Sequence, residues 1–204
     1  KKLSNKMINY IDEILIVDNI SKDRTISIAK IELLKLKIKS KIIINNNNVN
    51  LGGSHKVIFD YTKDNNFDFV VIIHGDDQAD INDFESIFIN KNYLHYDWIR
   101  GSRFTKGSKL IGYSKLKTIG NIFFNKLFSI ILLKRIDDIG SGLDMYSSSL
   151  LHKFNYYSFP DRLTFDYFMI LYLTYIKVNL RFQPITWREE DQVSNVKLVK
   201  QTSE

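Results

Sequence analysis

The chain has 204 residues, 44% of them hydrophobic and 13% aromatic, which is enough to bury the core of one ordinary domain and too apolar for intrinsic disorder. It contains no cysteine, which excludes a disulfide scaffold, thiolate metal sites and cysteine nucleophiles. The 29 basic and 23 acidic side chains leave a formal charge of +6, a lean toward anionic partners such as phosphates, lipid headgroups or nucleic acid.

Residues 1–10 carry lysines but no apolar stretch of the kind a signal peptide needs, so a cytoplasmic location is expected. The first strand signal is the apolar run 14–17, ending at Asp18, with Ser21 and Asp23 as capping candidates for a helix through residue 38. A second strand is expected over 41–44 and a turn at Gly52 and Gly53. A helix to about residue 65 and a third strand over 69–73 follow. The most apolar later stretch, 122–133, is broken by Asn125, Lys126 and Ser129 and is shorter than the roughly 20 residues that span a bilayer. With two prolines, no Ser/Gly-rich linker and no internal repeat, a single domain is expected over 1–204. Alternating strands and helices, with strands that are apolar throughout, predict an α/β fold with a mostly parallel sheet covered on both faces.

Ligands of such sheets bind beyond the carboxyl ends of the strands. Here those ends carry Asp18 and Asn19, then His74, Gly75, Asp76, Asp77 and Gln78. Each alone reads equally well as a turn former. Two such clusters together suit a hard divalent cation with oxygen ligands that serves a bound diphosphate.

Six segments then resemble, in order, the family 2 glycosyltransferases, which have the Rossmann-like GT-A fold. Residues 16–25 (IVDNISKDRT) resemble the family's VDDGSxDGT segment, and 50–54 (NLGGS) its glycine-containing turn. Residues 70–78 (VVIIHGDDQ) resemble its DxD strand end, and 101–104 (GSRF) match its GSRF. Residues 138–143 (DIGSGL) are similar to its DxxSGF, and 184–187 (PITW) with Ser194 to its last strand and SK tail. The polyprenyl-phosphate (dolichol-phosphate) sugar transferases are the subgroup it most resembles. Three departures stand out. The family's opening strand, ending in a PxYNE-like segment, has no counterpart, so the domain is expected to be N-terminally incomplete. Ile20 replaces a glycine, so its turn must avoid a positive φ or take another shape. His74 replaces the first Asp of DxD.

The resemblance implies inverting transfer of a sugar from a nucleotide-diphosphate sugar, assisted by Mn2+ or Mg2+. It implies a nucleotide-sugar set of Asp18, Asn19, Gly52, Asp76 and Asp77, and metal ligands Asp76 and Gln78 with His74 as a further or outer ligand. On the acceptor side, Arg103, Lys106, Lys109, Lys115 and Lys117 form a basic loop without a carboxylate. Arg103, Lys106 and Lys109 are the expected grip on an acceptor phosphate, and a solvated basic face is the alternative. A polyprenyl phosphate is favoured as acceptor and needs no strong base, its second pKa being near 6. A glycan hydroxyl needs one, and Asp138 is then the candidate. In the tail, Glu189, Glu190 and Asp191 depart from a basic pattern and Asn195 stands where Lys is frequent, leaving Lys197 as the nearby cation.

Residues 119–133 carry Ile122, Phe123, Leu127, Ile130 and Ile131 at helical spacing. Core packing and an interfacial helix over 113–134, at the inner face of a membrane, compete for that stripe. His55, His95 and His152 are not at metal-ligand spacing and read as surface or satisfied core histidines. Hydrolase, P-loop and dinucleotide signatures are absent. A nucleic-acid-binding module would need basic and aromatic residues interleaved on one face, whereas the aromatics lie in apolar periodic segments. The reading of another class is a degenerate, non-catalytic sugar-nucleotide-binding fold, motivated by Ile20, His74 and the absent first strand.

Overall fold

The structure is a computed structural model and describes residues 3–189. Ser194, Asn195 and Lys197, with Glu190 and Asp191, lie outside the described residues. In chain order the elements are α1 (Asn5–Ile8), β1 (Glu13–Asp18), α2 (Thr25–Lys35), β2 (Lys39–Ile44), α3 (Asn50–Asp64), β3 (Phe69–Ile73), α4 (Glu85–Ile89), β4 (Trp98–Ser102), β5 (Lys109–Ile111), α5 (Lys115–Ile131), β6 (Leu143–Ser147), α6 (Ser148–Leu151), α7 (Phe165–Tyr175), β7 (Leu180–Pro184) and β8 (Thr186–Arg188). The α/β class is as expected. Among the described residues no helix is long and apolar enough to cross a membrane.

The first unit departs from its sequence reading in two places. Ser21 does not cap α2: its hydroxyl and N–H donate to Asp18, while Asp23 Oδ1 accepts the N–H of Thr25 at the start of the helix. The helix ends at Lys35 rather than 38, because β2 pairs with β1 in parallel from Glu13↔Lys39 and the chain must already be extended there. Beside β1 and β2, a four-stranded sheet runs in the order β3-β6-β4-β7, and a third sheet joins β5 to β8. Helix α3 contacts both β1 and β3 and so ties the first two sheets together. The edge of β1 away from β2, and the edge of β3 away from β6, have no strand partner among the described residues.

The four-stranded sheet is mixed. β7 runs parallel to β4, whereas β6 is antiparallel to both β3 and β4. The reason is that α5 and the loop after it return the chain to the carboxyl end of β4, where Asp138 meets Arg103, so β6 can only run back the other way. β4 and β6 are buried along their whole length, with side chains alternating between two cores. Trp98 and Tyr146 face a cluster with Phe59, Leu150, Phe165 and Met169 on one side. Ile99, Leu143 and Met145 face Met7, Phe84, Ile87 and Ile185 on the other. Each of these side chains contributes on the order of 1.5–3 kcal/mol by leaving water.

A charge sits inside the first core. Arg100 is fully buried opposite Asp144 in the β4–β6 register. Its Nη1 donates to Asp144 Oδ1 (3.1 Å), and its Nη2 lies 3.5 Å from Asp166 Oδ2 on α7. Arg100 Nε and Nη2 also donate to the carbonyls of Asp138 (3.2 Å) and Ile139 (2.8 Å). Burial pushes the Asp144 carboxyl above its ordinary range, and Asp166 adds to that push while Arg100 and the Trp98 indole oppose it. Replacing Arg100 by Met should strand two buried carboxylates and lower unfolding free energy by about 3–5 kcal/mol, read as a fall in urea midpoint. A loss below about 1 kcal/mol would show that the carboxylates tolerate the core without it.

Candidate functional site

β1, β3 and β4 end, and β6 begins, at residues that carry chemistry. At the end of β1 Asp18 is buried, and both carboxylate oxygens accept hydrogen bonds from Ser21. Ile20 adopts φ +62°, so the turn keeps the left-handed shape that the expected glycine would take freely. A β-branched residue is strained there, and Asp18 holding Ser21 stabilises the turn against that strain. Asn19 reaches the loop before α3: its Oδ1 accepts the Val49 N–H (2.9 Å) and its amide donates to Asn48 (2.6 Å).

Gly52 does not belong with these ligand-facing groups. Its N–H donates to the Asp161 carbonyl (2.6 Å), and a Cβ there would lie 2.5 Å from the Pro160 oxygen. The glycine is required by close approach of the chain to itself.

After β3 the chain passes through His74, Asp76 and Gln78. The His74 N–H donates to the Gly142 carbonyl (2.9 Å), and the His74 ring packs on Gly142, where a Cβ would lie 2.6 Å from Nδ1 at φ +64°. Only glycine fits both the backbone angle and the ring. Asp76 is exposed and its Oδ1 accepts the Gln78 N–H (3.1 Å), while the Gln78 carbonyl accepts from Arg188 of β8 (2.9 Å). Among the described residues no three His, Asp or Glu side chains gather as a metal cage. The carboxylates of Asp76 and Asp77 and the Gln78 amide on this short segment suit a hard cation, and the His74 imidazole suits manganese better than magnesium.

Arg103 and Asp138, 35 residues apart, form a buried pair. Arg103 Nε and Nη2 donate to Asp138 Oδ2 (2.8 Å) and Oδ1 (2.7 Å). The backbone N–H of Arg103 adds a bond to Oδ2 (2.9 Å) and that of Gly140 one to Oδ1 (3.0 Å). Burial alone would raise the Asp138 pKa, but the Arg103 charge and these bonds outweigh it and hold the carboxyl below its ordinary value. A general base needs a free lone pair within reach of its proton. Asp138 is fully buried with both oxygens engaged, so in this arrangement it holds Arg103.

Arg103 is likewise not an open phosphate fork. Its guanidinium lies among the rings of Trp187 (5.0 Å), Phe104 (5.1 Å) and Tyr113 (5.8 Å). Nη1 donates to the Tyr113 hydroxyl (3.3 Å). Lys106 and Lys109 are exposed, and Lys117 is paired with Glu189 (2.7 Å). Asp18, His74 and Arg103 thus stand at strand ends; Arg103 and Asp138 are joined directly, and His74 meets the same loop at Gly142.

Two residues do more than the sequence reading assigned to them. Trp187 links the sites, since it packs on Arg103 while bridging to Ala79 just after Gln78. His55, on α3, is a core histidine but not a satisfied one: neither ring nitrogen has a hydrogen-bond partner among the described residues. Its ring meets Phe165 (5.3 Å), His74 (5.7 Å) and Phe59 (6.0 Å). Its spacing with Phe59 and Thr62 on the buried face of α3 is the signal that could have found it. His95 and His152 are exposed as expected.

The glycosyl transferase family 2 model matches residues 2–154. The chain belongs to this family. Among solved structures it is similar to S. aureus TarS residues 1–349, with TM-score 0.55 and 18% identity over 93% of this chain and 53% of that one. It is also similar to the same TarS fragment in complex with UDP, with TM-score 0.56 and 17% identity over 91% of this chain and 55% of that one. The chain therefore spans about half the length of these neighbours, and at such identity they show the fold. No curated protein matches it.

Burial of His55 lowers its pKa to about 4, helped by the charges of His74 and Arg100 and opposed by Asp166. An unfolded histidine keeps about 6.5, so below that pH the unfolded chain binds more protons than the folded one. The His55 contribution is therefore complete above pH 6.5 and is lost as pH falls toward 4. The melting temperature should drop between pH 7 and pH 5, and drop less in His55→Phe. An equal drop in both proteins would exclude His55 as the cause.

Proposed function

We propose that this family 2 domain transfers a sugar from a nucleotide-diphosphate sugar, with inversion, to the phosphate of a polyprenyl phosphate. The observation that carries the choice of acceptor is the Arg103–Asp138 pair. The carboxylate that the DxxSG resemblance offers as a base has both oxygens engaged by Arg103 and Gly140. A glycan hydroxyl needs a base to take its proton, whereas a phosphate oxygen, largely deprotonated at pH 7, attacks without one.

Asp18 and Asn19 hold the nucleoside, their loop fixed by Ser21 and Val49. Asp76, Gln78 and His74 are the residues that would hold a Mn2+ or Mg2+ ion, with Asp77 next to them. When bound, such an ion would supply stabilisation of the negative charge that develops on the departing nucleotide diphosphate. Lys106 and Lys109 draw in the acceptor phosphate, and Arg103, locked by Asp138 and Trp187, positions the loop that carries them. The phosphate oxygen forms a bond to the anomeric carbon as the bond to the diphosphate breaks, and the nucleotide diphosphate leaves with the electron pair.

Calorimetric titration with UDP and GDP, each with and without Mn2+, tests the donor side. UDP is the first choice because a TarS structure of the same fold carries it. Metal-dependent binding is expected, and Asp76→Asn should weaken it at least tenfold while leaving the melting temperature unchanged. Metal-dependent binding that survives in Asp76→Asn would remove the ligand assignment. No binding in any condition would favour the non-catalytic reading.

A further inference from the structure

Helix α5 is apolar on the face where a surface helix should be polar. Its inward side is conventional: Phe124 and Phe128 pack against the first core, and Asn125 is buried. The outward side carries Leu116, Ile119, Phe123, Ile130 and Ile131, each more than 60% exposed, with Leu133 just beyond at 94%. Ile122 and Leu127 continue the patch. The spacing 116, 119, 123, 127, 130 places these residues in one stripe along the helix. Contiguous exposed apolar surface of this kind marks an interaction site.

Charge selects the occupant. Residues 115–135 contain Lys115, Lys117, Lys126, Lys134 and Arg135 and no carboxylate. Lys126 is exposed within the stripe, one helical turn from Ile122, Phe123 and Ile130. A second copy meeting the same face about a two-fold axis would bring Lys126 toward its own mate inside an apolar contact, which costs heavily for unpaired like charges. An anionic bilayer accepts both features at once: the apolar side chains enter the acyl boundary and the lysines reach up to phosphates. A cleft of about 270 Å³ opens against the same helix, lined among others by Phe104, Ile122, Asn125, Lys126 and Arg135, next to the Asp138 loop. Lys126 lines it as an exposed cation, whereas Arg135 is already paired with Asp137 of the same cleft (2.6 Å).

We infer that α5 is a membrane-docking helix that lays its 116–131 stripe on an anionic phospholipid surface. This stands apart from the acceptor reading, because it requires neither polyprenyl phosphate nor donor. The test is co-sedimentation of the chain with phosphatidylglycerol-containing vesicles and with pure phosphatidylcholine vesicles, alongside sedimentation velocity without lipid. The wild type should be monomeric and bind the anionic vesicles. The triple variant Ile119→Gln, Phe123→Gln, Ile130→Gln should lose at least about tenfold in partitioning while melting normally, since all three sites are exposed. Lys126→Glu should reduce binding to anionic vesicles severalfold and leave the weak binding to neutral ones unchanged. UDP titration of the same variants should match the wild type, which separates failure of docking from failure of the donor site. Equal vesicle binding by wild type and triple variant would overturn the assignment. So would equal wild-type binding to both vesicle types, or a wild-type dimer that ignores vesicles and dissociates in the triple variant.

Discussion

The loop from Asp137 to Gly142 is the piece on which the site depends, and it is held from three directions: the end of β3, β4 and α5. Arg103 grips the Asp138 carboxylate, Arg100 donates to the carbonyls of Asp138 and Ile139, and the His74 N–H donates to the Gly142 carbonyl. From α5, the Asn125 amide donates to the Asp137 carbonyl (2.7 Å) and accepts the Ile139 N–H (3.2 Å). None of these partners is local in sequence. Each is buried or half-buried, where a lost bond costs more than a surface one. The result is a segment without regular structure that is as constrained as the strands around it.

The two arginines divide the work. Arg100 faces the core between β4 and β6 and meets two carboxylates, whereas Arg103, three residues on, has left the strand and faces a ring-lined pocket with one. Alternation along β4 would set residues 100 and 102 on one face. The chain leaves the sheet at Ser102, whose hydroxyl accepts the N–H groups of Phe104 and Thr105, and this turn lets Arg103 swing to Asp138. Burying such charges contributes little net stability compared with apolar replacements of the same shape. What it supplies is fixed geometry, which a site that stabilises developing charge requires.

The strands and helices of the first half were legible in sequence because each rests on a local pattern, and β3 falls on the expected residues 69–73. The direction of β6 was not, because it follows from where α5 delivers the chain, and that is decided by the Arg103–Asp138 contact. The same contact explains why the residues of the DxxSG segment were recognisable while the work of Asp138 was not. A motif names residues that meet, but only geometry shows which lone pairs remain free. Gly52 teaches the converse, since a glycine in a ligand-binding pattern is accounted for here by the approach of Pro160. The buried position of His55 was legible in its spacing with Phe59 and Thr62, but its ring environment was not, because Phe165 and His74 come from other elements.

Helix α5 joins these themes. One side chain, Asn125, makes the same helix that exposes an apolar stripe also a support of the Asp138 loop. An element with two working faces cannot turn to bury its outer side chains without releasing those two bonds. That constraint accounts for a sequence in which isoleucine, leucine and phenylalanine persist at exposed positions: the inward face fixes the rotation of the helix, and the outward residues must then find their apolar partner beyond the described residues. The lysines interspersed among them define the character of that partner, because each buried stem is compatible with an apolar boundary only if its ammonium group reaches an anionic layer.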